Sequence, residues 1–467
     1  MALKFFNTLG RELQEFKPID AKEVRFYACG PTVYNYAHIG NFRAYIFEDL
    51  LLRTLRYFDH NVKMVMNLTD VDDKTIRDSQ AADISLDTFT KKYKEAFFTD
   101  LEELRIEKAD VYPAATECID EMIEIIKKLE TKGFAYQAGD GCVYYSIAKF
   151  PHYGELAKID MENQRAGVRV KTDEYEKDSV ADFALWKAWD KADGDVWWDS
   201  PWGKGRPGWH IECSAMSQKH LGSHFDIHTG GIDNMFPHHE DERAQSEAAN
   251  DCKYVNYWLH CAHLMVDGDK MSKSKGNFYK LFDLLEMGYN GRELRWVLLS
   301  THYRKKLNFT LEACDDARVV LGKFSALFKR LRSVDSSRES TDALAVVDTA
   351  KIAFKNGIGD DLNVSEALAV VYGAQTDANK LIDTELMGTE GAESFLELFR
   401  DFDKVFAVFD VDVAEAEVPA DIIALAEQRI TARADKEWAK SDELRDTILS
   451  MGWVVEDIPG GFNIKKA

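Results

Sequence analysis

Two rhythms of apolar positions divide the chain. EVRFYACG (23–30) and NVKMVMNLTD (61–70) are short apolar runs, each followed by a longer stretch with apolar residues three and four apart. That alternation predicts strand, helix from about Ala44, strand and helix, the βαβ order of a parallel sheet. Over 119–200 the rhythm changes: a helix, CIDEMIEIIKKLETKG with Gly133 at its end, precedes a tryptophan-rich, turn-rich stretch closing on WWDSPWGKGRPGW. This reads as an insertion into the sheet domain. HFDIHTGGIDNMFPHHE returns to strand, glycine turn and helix, and VNYWLHCAHLMVDGDKMSKSKGN gives an apolar strand running into a basic loop between Gly268 and Gly276.

Beyond about 310 the period is helical in ARVVLGKFSALFKRLRSV, VSEALAVVYGAQTDANKLI and ESFLELFRDFDKVFAVF, with a serine-rich break at 333–341. An antiparallel helical bundle is expected. The linker-like VDVAEAEVPAD (411–421) leads to EQRITARADKEWAKSDELRDTIL, read as one helix, and a short C-terminal unit. The expected organisation is a Rossmann-like α/β catalytic domain (1–118 and 201–265), a connective insertion (119–200), a segment at 266–310 holding the basic loop, a helical bundle (311–417) and a C-terminal unit (418–467).

Composition narrows the class. The 467 residues are 45% hydrophobic and 30% charged, which fits about three globular domains. No apolar run approaches about 18 residues, and the start MALKFFNTLG has no leader-like pattern, so a cytoplasmic protein with no membrane span is expected. Seven scattered cysteines without a C-x-x-C pair predict neither a disulfide framework nor a zinc knuckle. The net charge of −22 argues against a general nucleic-acid binder, and no DNA contact is expected. RNA contact would be local; basic clusters stand at HYRKK (302–306), KRLR (329–332) and the terminal IKKA.

Two constellations suggest chemistry. His38-Ile39-Gly40-Asn41 lies between a strand and a helix start, where backbone N–H groups and the helix dipole favour phosphate and glycine permits close approach. Lys270-Met271-Ser272-Lys273-Ser274 places two lysines on a glycine-flanked loop, suited to neutralising charge on a polyphosphate leaving group. Thiolate, imidazole and carboxylate donors for zinc are available at Cys29, Cys213, His238 and Glu242, the last two four residues apart. Spacing leaves His228, His239, Cys252, Cys261 and His263 as rival ligands.

H-I-G with K-M-S-K-S resembles the paired signature motifs of the class I aminoacyl-tRNA synthetases, with Asn41 where histidine is commonest. CGPTVYNYAHIGN, NLTDVDDK, DSPWGKGRPGWHIECSAM, FPHHEDE, KMSKSKGN and DDLNVSEAL extend the resemblance, over nearly the whole chain, to the bacterial-type cysteinyl-tRNA synthetase family. The resemblance implies ATP-dependent activation of L-cysteine and its transfer to tRNA(Cys), by a monomer using magnesium with ATP and one zinc per chain. Cys29, Cys213, His238 and Glu242 would be the zinc ligands; His38, Gly40, Asn41, Lys270 and Lys273 would serve ATP and catalysis; Thr69, Trp209, His228 and Asp233 would line the adenylate pocket. It also implies a DALR-like bundle, a stem-contact role for 266–310, no editing domain in the insertion, and anticodon contacts from Arg433, Trp438, Asp442 and Arg445. The tail GGFNIKK departs from the family's usual Gly-Thr-x-Trp-Arg-like turn. Two other readings share these motifs: a cysteine ligase with a small-molecule acceptor, as in mycothiol synthesis, and a catalytically silent RNA- or zinc-binding paralogue. Asp72 and Asp73 read as helix caps.

Overall fold

Four strands, β1 (Val24–Ala28), β2 (Val62–Met66), β3 (Phe225–Gly231) and β4 (Val255–Cys261), form one parallel sheet in the order β4-β3-β1-β2. The computed structural model describes residues 2–159, 182–271, 276–412, 419–458 and 461–466. Nearly every residue of these strands is buried, as expected of a parallel sheet covered on both faces. Chain order reverses between β1 and β3, so their carboxyl ends open the crevice where α/β sheets take ligands. Cys29 follows β1 there, and Gly230 and Gly231 end β3.

Three helices frame this crevice: α1 (Ile39–Tyr57), α2 (Trp209–Leu221) and α3 (Glu240–Asn250). Helix α1 begins at Ile39, five residues before the expected Ala44. Its start is held by a reciprocal cap: the Asn41 N–H donates to His38 Nδ1 at 3.2 Å, and the His38 N–H donates to Asn41 Oδ1 at 3.0 Å. Thirteen side chains on α1 are buried, including Arg43, Glu48 and Asp49, so it is an internal helix rather than a surface one.

A separate antiparallel sheet is formed by Ala135–Gln137, Val143–Tyr145, Phe183–Ala188 and Gly205–Pro207, the last strand lying past the 119–200 bounds of the expected insertion; positions 160–181 lie outside the described residues. After the crevice strands come helices Leu281–Glu286 and Gly291–Leu299, then Leu311–Arg332, Thr341–Gly359, Val364–Asp383 and Thr389–Phe406. The rings of Phe324, Phe328, Phe399 and Phe409 pack together in the bundle. Arg295, wholly buried, ties it to the sheet region. Its guanidinium pairs with Asp49 on α1 and donates to the carbonyls of Leu104 (3.1 Å), Arg105 (3.2 Å) and Phe406 (2.6 Å).

Residues 1–409 form one compact unit and 410–467 a second. The second contains helices Ala420–Ala434 and Trp438–Ser450 and the hairpin Trp453–Ile458 with Gly461–Lys466. Its core is Ile422, Ala426, Ile448, Trp453 and Val455. The stretch read as one helix is thus two, broken where Lys436 takes a φ of 61°, and the atypical tail supplies the second strand of the hairpin.

Candidate functional site

At the carboxyl end of the sheet, four chain segments aim donor atoms at one point. Cys29 Sγ, Cys213 Sγ from α2, a nitrogen of His238 and an oxygen of Glu242 on α3 all lie within 4.8 Å of one another, and all four residues are buried. Cys213 Sγ is 3.5 Å from His238 Nε2, which is 3.2 Å from Glu242 Oε1. The expected helical face for His238 and Glu242 is not a regular helix throughout. His238 sits in the irregular turn Met235–His239, after which α3 starts, and the turn still directs both side chains to the same point.

A second quartet, Cys29, His228, His239 and Glu242, meets the same distance criterion. His239 Nε2 is 3.2 Å from Cys29 Sγ, and His228 Nε2 is 2.9 Å from Glu242 Oε2. The other rivals stand elsewhere: Cys252 Sγ faces the Ser223 carbonyl, Cys261 Sγ the Arg43 carbonyl, and His263 is exposed.

The electrostatics favour a cation. Burial raises the thiol of Cys29 well above its ordinary value, with Cys213 adding to the rise, and burial also raises Cys213. Burial and neighbouring imidazoles lower His238 and His239 well below theirs. Glu242 Oε1 has no hydrogen-bond partner among the described residues although it is fully buried. An orphaned carboxylate oxygen beside two thiols and a neutral imidazole is a donor set that zinc fits, and a divalent ion would reverse the penalty on the thiolates.

Two histidines that sequence reasoning did not single out support this centre. His210 Nδ1 is 2.8 Å from His238 Nδ1, and its Nε2 is 3.3 Å from the buried Asp241 carboxylate, which also pairs with the Tyr153 hydroxyl. His260 Nε2 is 2.9 Å from His239 Nδ1, and His260 Nδ1 is 2.8 Å from Thr8 Oγ1. Burial pushes both imidazoles down to about 3, so at neutral pH they orient the rings beside them without adding charge. The only sequence signals are their places, directly after Trp209 and in the inward-facing run of β4.

Trp209, at the first turn of α2 and 42% exposed, stacks on His238 with ring centres 4.1 Å apart. His228 is fully buried and stacks on Trp258. Thr69, three residues past β2, is buried against the Glu212 carboxyl, and Asp233 is exposed after β3. Asp70 accepts from Thr116 and pairs with Lys94 at 2.7 Å. Asp72 caps the Asp73–Ala81 helix as expected, whereas Asp73 does not. Its carboxylate pairs with Lys187 and Arg206 of the antiparallel sheet.

His38, at the start of α1, accepts on Nδ1, so its neutral ring carries the proton on Nε2, and burial lowers its pKa. A Cβ on Gly40 would lie 3.0 Å from the His38 ring and 3.2 Å from Met271 Cε. Glycine is therefore what lets the His38 ring, the helix start and Met271 converge. Lys270 lies in the short strand Asp269–Lys270 and is exposed; Lys273 lies outside the described residues.

In the second unit Arg433 lies 5.9 Å over the Trp438 ring and 3.4 Å from Asp457, and Arg445 pairs with Asp442 at 3.5 Å. A cavity of about 490 Å³ opens nearby, lined by Gln428, Thr431, Asp435 and Lys440 among others.

Comparison with known proteins agrees with this architecture. Residues 15–319 match the model of the class I tRNA synthetase (C) catalytic domain. The cysteine–tRNA ligase of Brachyspira hyodysenteriae is 51% identical over 99% of both chains, and that of Protochlamydia amoebophila 48% identical over 99% of this chain and 98% of its own. Among solved structures, Mycobacterium tuberculosis methionyl-tRNA synthetase with methionyl-adenylate superposes with a TM-score of 0.62 at 14% identity, covering 83% of this chain and 92% of that one. That likeness is one of fold alone. With identity near one half over the full length of these relatives and a family model matched over residues 15–319, the chain belongs to the cysteine–tRNA ligase family of the class I aminoacyl-tRNA synthetases.

Proposed function

We propose that this protein activates L-cysteine with ATP and esterifies it to tRNA(Cys). The observation that carries the reading is the donor quartet at the sheet's carboxyl end, whose Cys29 precedes the phosphate-ready start of α1 by ten residues. In the first step the cysteine carboxylate displaces pyrophosphate from the α-phosphate of ATP. In the second, the terminal ribose hydroxyl of the tRNA displaces AMP from the cysteinyl adenylate.

Cys29, Cys213, His238 and Glu242 hold one zinc ion per chain in this reading. Bound there, zinc would provide a soft site that suits the thiolate of cysteine far better than the hydroxyl of serine. Support comes from the two thiols and the buried Glu242 Oε1, which makes no hydrogen bond among the described residues. His228 buttresses Glu242, and Trp209, Thr69 and Asp233 line the adenylate pocket. His38 donates from Nε2 to a phosphate oxygen at the positive end of α1, and Asn41 fixes the ring by the reciprocal cap. Lys270 and Lys273 neutralise the charge that develops as pyrophosphate leaves, together with magnesium that arrives with ATP. Residues 266–310 meet the acceptor stem, and Arg433, Trp438, Asp442 and Arg445 meet the anticodon. The protein acts as a cytoplasmic monomer.

The test is transfer of labelled cysteine to total bacterial tRNA with ATP, magnesium and zinc. Base-labile label on tRNA, absent with labelled serine, is expected. Cysteinyl adenylate without charged tRNA would overturn the reading.

A further inference from the structure

The lip of the crevice carries side chains that this mechanism does not use. Tyr36, two residues before His38, packs edge-on against Tyr93 (ring centres 5.3 Å apart) and Phe282 (5.5 Å). Lys92 Nζ lies 5.6 Å from the centre of the Tyr36 ring and 5.4 Å from that of Tyr93. Lys280 Nζ lies 5.2 Å from Tyr36 and 5.1 Å from Phe282. Lys92 is exposed and Phe282 is 39% exposed.

Three separate segments build this cluster: the loop before α1, the helix Leu86–Glu103, and the helix Leu281–Glu286, whose capping residue Lys280 bridges to His38 through the backbone. The cluster therefore adjoins the residue proposed to meet the phosphates. Rings interleaved with ammonium groups suit unpaired nucleotides, because bases stack on the rings while phosphates draw the lysines. In a chain of net charge −22 such a patch, like the basic clusters elsewhere, supplies a local attraction for a polyanion. Lys94, on the same helix, is committed to Asp70, whereas Lys92 and Lys280 rest on the rings.

We propose that Tyr36, Tyr93 and Phe282, with Lys92 and Lys280, form a stacking platform for the single-stranded 3′ end of the tRNA. The inference rests on the functional reading above: the ester forms at the terminal ribose, so the unpaired end must cross the lip. A merely structural cluster would hold the three segments together and have no bearing on RNA.

The test compares two half-reactions in Tyr36→Leu, with Phe282→Ser as the safer surface variant. Cysteine-dependent ATP–pyrophosphate exchange, which needs no tRNA, and the melting temperature are expected to stay near wild type. The kcat/KM for tRNA is expected to fall about tenfold, chiefly through KM, and Tyr36→Phe to restore it. Full-length tRNA should bind Phe282→Ser more weakly than wild type, while tRNA trimmed of its single-stranded end should bind both equally. Equal loss with trimmed tRNA, no loss at all, or exchange falling in step with charging would overturn the platform. A wild-type protein that charges no tRNA would instead remove the functional reading on which it rests.

Discussion

Glu48 carries a carboxyl group into the interior of α1, where Oε1 accepts from the Thr229 hydroxyl at 3.0 Å and Oε2 has no partner among the described residues. Burial pushes it up to about 8, so the folded chain keeps a proton that the unfolded chain releases near pH ~4.3. Over that interval the native state binds more protons, and stability falls as pH rises from about 4.3 to about 8. Glu48→Gln keeps the acceptor for Thr229 and removes the titration. Its melting temperature is expected to exceed wild type clearly at pH 8 and hardly at pH 4; equal shifts at both would refute the assignment. Cys213→Ser is expected to lose its zinc by metal analysis and its preference for cysteine over serine in pyrophosphate exchange, and a variant retaining both would sink the proposed ligand set. The donors were legible one by one, from their chemistry. Their company was legible only through the family resemblance, not from spacing: the 3.2 Å approach of His239 to Cys29 joins residues 210 apart, and no local period reports such a pairing.

Helix starts show why local patterns reach only so far. The apolar period of α1 pointed to Ala44 because His38, Gly40 and Asn41 are polar or small, yet their reciprocal hydrogen bonds move the start to Ile39. The parallel sheet was legible because strands buried on both faces read as continuous apolar runs. The aromatic cluster at the lip was not, since Tyr36, Tyr93 and Phe282 meet only through the tertiary fold. At the start of α1, Gly40→Ala would set a methyl 3.0 Å from the His38 ring and force the ring or the adjoining Met271 to give way. The expected result is a fall of about tenfold or more in kcat/KM for ATP in pyrophosphate exchange, with zinc content unchanged. Unaltered ATP kinetics would show that the His38 position tolerates the shift.

At the scale of the whole molecule, 1–409 and 410–467 each have their own core, and the acidic chain confines attraction for RNA to particular faces. A protein ending at Phe409 is expected to fold, retain cysteine-dependent pyrophosphate exchange within about twofold and lose most tRNA charging, measured as kcat/KM for tRNA. Loss of exchange in a folded truncation would mean that the second unit also shapes the crevice. The first unit has its own condition for completion. The Arg295 guanidinium finds its partners only when Asp49, the turn at Leu104–Arg105 and the Phe406 carbonyl have all arrived. During synthesis at roughly 5–20 residues per second, Phe406 follows Asp49 by some tens of seconds. Throughout that interval the sheet end of the nascent chain waits for a contact encoded near the far end of its unit, so a ribosome halted before residue 406 holds Arg295 with its charge partner Asp49 already made but without the carbonyl that completes its donors.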